Sequence, residues 1–99
     1  MEKITVVKAE PGKEPESVGI ENDLKPMQAL VDGYIEGHSL PGTPFMLFVN
    51  EDGRMKGLAF NRRLNGFAFC GTMVIAKVSG SENVTMDEDE VKQAKELLA

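Results

Sequence analysis

Residues 53 to 81 contain no aspartate or glutamate, although the chain of 99 residues carries 16 of them. An unpaired carboxylate is costly to take out of water, so an acid-free stretch of this length is what the interior of a sheet demands. Its segment "TMVIAKV" is β-branched and apolar and predicts a strand. Phe60, Leu64, Phe67, Phe69, Met73 and Ile75 are the core candidates it supplies. Burial does not account for the five bases in the same stretch, Arg54, Lys56, Arg62, Arg63 and Lys77.

The flanks carry the opposite charge. Residues 1 to 52 hold ten acids and four bases, and residues 82 to 99 hold six acids and two bases, which leaves the chain at -5. Two outcomes are open: the basic middle pairs with the acidic flanks inside the fold, or it faces an anionic partner. With 41% hydrophobic and 27% charged residues, the composition is that of a globular chain, and the length suits a single domain over 1–99. No run approaches the roughly 18 apolar residues of a membrane span, and "MEKITVVKAEPG" lacks an apolar signal core. Cys70 is the sole cysteine, so no internal disulfide forms, and the expected location is the cytoplasm.

Patterning along the chain predicts the elements. "KITVVKA" alternates as a strand, "EPGKEPES" breaks it, and "SVGIE" returns antiparallel beside it. Met27, Leu30, Val31 and Tyr34 then fall on one helical face. Asn22 or Asp23 caps that helix, Pro26 is tolerated in its first turn, and Gly33 suits a left-handed end. "YIEGHSL" and the apolar "FMLFVNE" follow as strands. Asp52-Gly53 signals a type I′ hairpin that would fold "RMKGLAF" back onto "FMLFVNE". "SGSENVT" is polar and predicts a loop. Asp87 and Glu90 form a capping box, Met86 can staple onto Val91, and Val91, Ala94, Leu97 and Leu98 make the buried stripe of a final helix. The expected fold is α+β: a mainly antiparallel sheet of about five strands, with a short helix near 24–32 and a C-terminal helix near 87–98.

Few residues suggest chemistry. His38 and Cys70 are each unique, and a nucleophilic pair would need them within hydrogen-bond reach with a third group to orient the base. One His and one Cys do not make a structural zinc site. Asp87 to Glu90 lack the spacing of a calcium loop, and Glu51-Asp52 suit a turn better than an acid–base pair. The glycines form no phosphate-cradling or dinucleotide pattern, so no catalytic residue, metal or cofactor is expected.

Asn61-Arg62-Arg63 stands out, because two adjacent guanidiniums cannot both be buried cheaply. One of them is expected to brace the loop against Glu36 or Glu51. The other is left for a partner, with Asn61, Tyr34 and Phe60 as contact or stacking groups, since Tyr and Arg dominate interface hot spots.

"VGIENDLKPMQALVDGYIEG", "VNEDGRMKGLAFNRRL" and "CGTMVIAKVSG" together resemble a small uncharacterised domain family of phages, plasmids and other mobile elements of bacteria. The resemblance runs from about Val18 to Gly80 and is most specific at Gly33-Tyr34-Ile35-Glu36, Asn50-Glu51 and Asn61-Arg62. It implies a bacterial mobile context and no particular reaction. The expected function is that of a small non-enzymatic accessory protein that binds a host or element-encoded protein through Tyr34, Phe60, Asn61, Arg62 and Arg63. The alternative is nucleic-acid or nucleotide binding by the basic 54–63 segment, where four bases accompany Phe60. The net charge of -5 weighs against the alternative.

Overall fold

A computed structural model describes residues 2–99, and the fold is α+β. The strands are β1 (Lys3–Ala9), β2 (Glu16–Glu21), β3 (Ile35–Ser39), β4 (Phe45–Asn50), β5 (Phe60–Leu64), β6 (Phe67–Cys70), β7 (Met73–Ser79) and β8 (Glu82–Val84). The helices are α1 (Leu24–Val31) and α2 (Glu88–Leu97). Among the described residues no helix is long and apolar enough to cross a membrane.

Six strands form one antiparallel sheet in the order β2-β1-β7-β4-β3, with β8 added to β7, and β5 and β6 form a separate two-stranded ribbon. β7 occupies the centre, with Ile75 opposite Val7 on one side and Leu47 on the other. Met73 through Ala76 are fully buried, which accounts for the absence of acids there. β1 pairs with β7 at Val7 to Ala9, and Lys3 to Val6 before them do not. β8 enters the fork against Lys77–Ser79, and Thr5 donates its N–H to Thr85 Oγ1 at 2.9 Å. The polar segment expected to be a loop therefore contains a strand, because the backbone groups at the fork require partners.

The two faces of the sheet have separate cores. On one, Val7, Leu47, Val49 and Ile75 pack under Ala94 of α2, its C-cap Leu98 and Phe69 of the ribbon. On the other, Ile4, Val6, Val74 and Ala76 pack under Met27 and Val31 of α1.

Both helices begin as their capping residues dictate. Asp23 accepts the Leu24 N–H at 2.8 Å, and Pro26 falls in the first turn, where its missing N–H has no intrahelical partner to lose. In α2 the reciprocal capping box is complete, with bonds of 2.8 Å to Asp87 and 3.0 Å to Glu90. The end of α1 differs from expectation. Asp32, not Gly33, adopts the left-handed conformation, at φ 58°, and Tyr34 lies beyond the helix. Gly33 serves a close approach instead: a Cβ there would stand 2.6 Å from Asn50 Nδ2.

Asn50 also explains why "RMKGLAF" does not pair with β4. It is 4% exposed, and its Nδ2 donates to the Val31 and Asp32 carbonyls at 3.0 Å each. Its Oδ1 accepts the Asp52 N–H at 2.8 Å, a side-chain turn that competes with a two-residue hairpin. Backbone bonds from Lys56 to Asp52 and from Leu58 to Gly53 then coil the chain through the turn. β4 is left to pair with β7. The hairpin signal that the fold uses is Asn65-Gly66, with φ 50° and 83°, which joins β5 to β6 in a type I′ turn.

Of the core candidates, Phe69, Met73 and Ile75 are buried and Leu64 is half-buried against them. Phe60 and Phe67 are 59% and 65% exposed. Each begins a strand of a ribbon that has only one face on the core, and neither is covered.

Candidate functional site

Asn61 and Arg62 are structural. Asn61 is the extra residue of a β-bulge where the β5–β6 register shifts, and the bulge aims its side chain across the fold. Its Nδ2 donates to the Ala9 carbonyl at 2.7 Å and the Gly71 carbonyl at 2.8 Å, fastening the ribbon to β1. Arg62 donates from Nη2 to the Lys13 carbonyl at 2.7 Å and from Nη1 to the Leu98 carbonyl. One guanidinium thus ties the β1–β2 loop to the end of α2, where helical carbonyls lack intrahelical donors.

The expected ion pair of Arg62 or Arg63 with Glu36 or Glu51 does not form among the described residues. Arg62 takes backbone carbonyls instead, and Arg63 is exposed. Among the described residues the basic middle reaches an acidic flank through Lys77 and Glu90.

Tyr34 is 70% exposed, and its carbonyl accepts the Glu51 N–H at 2.8 Å. Glu51 lines a groove of about 310 Å3 between β3–β4, the 51–57 turn and β6. Met55 and Phe67 also line it, and Cys70, which faces Phe60 in the β5–β6 register, closes one side. A second groove of about 420 Å3 continues past His38, Phe67 and Phe69, which line both. The first groove therefore gathers two of the five large exposed hydrophobic residues, Met55 and Phe67. Tyr34 adjoins it through its carbonyl's bond to Glu51. Phe60 pairs with Cys70, which alternates to the other face of β6 from Phe67. The groove's acids are Glu36, Glu51 and Asp52, and its base is Arg54.

His38 sits where the grooves meet. Residues 36 and 38 point to the same face of β3, and Glu36 Oε1 lies 3.1 Å from His38 Nε2. The imidazole meets the Phe69 ring edge-on at a centroid distance of 5.2 Å. Cys70 lines the same groove, but no hydrogen bond joins its thiol to His38, so the arrangement is not an assembled nucleophile and base. Among the described residues no group of three or more His, Cys, Asp or Glu side chains could hold a metal ion.

Sequence reasoning offered Tyr34 and Phe60 as contact groups, with Phe60 and Phe67 also among the core candidates, and left open which of Arg62 and Arg63 is exposed. It missed Met55 and the Glu36–His38 pair. Asn65-Gly66 was the signal for Phe67: a type I′ turn there sets Phe67 opposite Leu64 at the end of a short ribbon. Met55 had no comparable local signal, because its exposure follows from the turn that Asn50 imposes.

No curated protein and no solved structure matches the chain. A family model described as Domain of unknown function (DUF3846) matches residues 4–99, and the chain belongs to that family.

Proposed function

We propose that this chain is a small non-enzymatic accessory protein of a bacterial mobile element or phage, acting in the cytoplasm by binding a host or element-encoded protein. The observation that carries the reading is the exposure of Met55 and Phe67 together in the lining of one groove. Clustered exposed hydrophobic groups with a polar rim are the signature of a protein interface. Met55 is 89% exposed, and covering it and Phe67 would each contribute about 1.5–3 kcal/mol to association. The mobile-element context rests on the resemblance of the quoted segments.

Nucleic-acid or nucleotide binding is the second reading. Arg54, Lys56 and Arg63 are exposed and in no ion pair among the described residues, and Phe60 is available for stacking. Glu36, Glu51 and Asp52 in the adjoining groove oppose a phosphate backbone, which favours a protein partner.

Affinity capture from bacterial lysate with wild type and a Met55→Ser/Phe67→Ser variant tests the proposal. Proteins retained by wild type and lost by the variant support it, provided circular dichroism shows the variant folded. An identical set of captured proteins removes the surface. Salt-sensitive retention of nucleic acid by both, abolished by Arg54→Ala/Arg63→Ala, favours the second reading.

A further inference from the structure

We infer that the face of the sheet beside α1 is a docking groove for a basic amphipathic helix of a partner protein. This surface is separate from the grooves along β3 and β6. Helix α1 has only eight residues, about 12 Å of helix, and a helix is about 10 Å wide. The five strands from β2 to β3 span about 19 Å at their normal spacing. One such helix cannot cover this face. It packs over Ile4, Val6, Val74 and Ala76 and leaves the part towards β4 and the β7–β8 turn open.

The open part is a groove of about 720 Å3. Leu24, Met27, Met46, Phe48 and Val78 supply its apolar lining, and Leu24 is 54% exposed. Two methionines in such a lining let it adapt to the side chains of a docked helix. Gly37 helps keep it open: Met46 and Phe48 lean over its missing side chain, with Met46 Cε 3.0 Å from where a Cβ would be.

Charge selects the occupant. Glu2, Asp23 and Glu82 are the charged residues of the lining, and no base accompanies them. A neutral or acidic helix would leave these carboxylates facing apolar or like-charged groups, whereas lysines or arginines flanking an apolar stripe would meet them. A helix also satisfies its own backbone hydrogen bonds, so it can lie on an apolar floor next to α1 and complete that layer.

The test is titration of the 15N-labelled full chain with two synthetic amphipathic peptides, one of leucine and lysine and one of leucine and glutamate. The lysine peptide should shift the backbone amides of Leu24, Phe48, Val78 and Glu82, and the glutamate peptide should not. Glu2→Lys/Glu82→Lys should weaken lysine-peptide binding about tenfold, while Met55→Ser/Phe67→Ser should leave it unchanged. Several outcomes overturn the inference: equal binding of both peptides, shifts confined to Glu36–Ser39 or another surface, or no binding at about 1 mM peptide. Shifts at these residues that grow with protein concentration in the absence of peptide also overturn it, in favour of a second copy of the chain.

Discussion

Lys77 Nζ stands 2.7 Å from Glu90 Oε2, which ties the central strand β7 to the first turn of α2. The second oxygen of the same carboxylate accepts the Asp87 N–H in the capping box. The Asp87 N–H and then the Lys77 ammonium hold the Glu90 carboxyl below its usual 4.5. The hydrogen bond that Lys77 donates to Glu90 raises Lys77 above its usual 10.5, against the opposing effect of burial.

The pair contributes to the pH dependence of stability at both ends. The contribution of Glu90 is present above 4.5 and disappears as pH falls through its lowered folded value. The contribution of Lys77 is present below 10.5 and disappears as pH rises through its raised folded value. Thermal melts across acid and alkaline pH should show both losses in wild type. Glu90→Gln should show a smaller loss at each end. Superimposable profiles would mean that the pair does not stabilise the fold.

Asn50→Ala removes two donors to α1 carbonyls and the acceptor for Asp52 from a position that is 4% exposed. Leaving those groups unpaired should cost about 2–4 kcal/mol in urea denaturation. The 51–57 turn should loosen first, visible as faster hydrogen exchange at Asp52, Gly53 and Lys56.

Arg62 and Arg63 should separate cleanly. Arg62→Ala loses the fork onto Lys13 and Leu98 and should cost about 1–3 kcal/mol, with Arg62→Lys restoring only part, because an ammonium lacks the planar two-pronged geometry. Arg63→Ala on the exposed side should stay within about 0.5 kcal/mol of wild type. Chemical denaturation of the three variants decides it.

Phe69 and Phe67 lie two residues apart in β6 and should behave oppositely. Phe69 is 9% exposed, and Phe69→Ala should cost about 3–5 kcal/mol. Phe67 is 65% exposed, and Phe67→Ser should change stability by about 0.5 kcal/mol or less while raising solubility. A large loss from Phe67→Ser would place that ring in the core.

Gly53 has no room for a side chain, because a Cβ there would meet the Cys70 carbonyl oxygen at 2.7 Å. The obstacle is backbone, so it cannot swing aside. Gly53→Ala should therefore destabilise by about 1–3 kcal/mol, read from the urea midpoint. Gly12→Ala, with open space around it but φ 75°, separates this packing effect from backbone strain.

Local periodicity and capping chemistry were enough to place β1, β2, β3, β4, β7, α1 and α2 from the sequence. Alternation, the helical stripe and the capping box act over a few residues. Among these elements the end of α1 departed from them, with Tyr34 beyond the helix and Gly33 against Asn50. The acid-free stretch likewise marked β7 as interior, because burying an unpaired carboxylate is costly wherever the strand sits. Partners across the fold were another matter. Asp52-Gly53 carries a hairpin signal, but the Asn50 side chain, anchored on α1, captured Asp52 and sent the chain into a longer turn. Arg62 could have met a carboxylate by charge alone, yet the bulge at Asn61 and the end of α2 brought it to carbonyl oxygens. The meeting of Met55 and Phe67 in one groove depended on the same placements. Capping, alternation and burial cost are properties of neighbouring residues, so the chain's order contains them. Strand partners and surface clusters depend on which distant groups arrive in register, and packing settles that only when the whole sheet has formed.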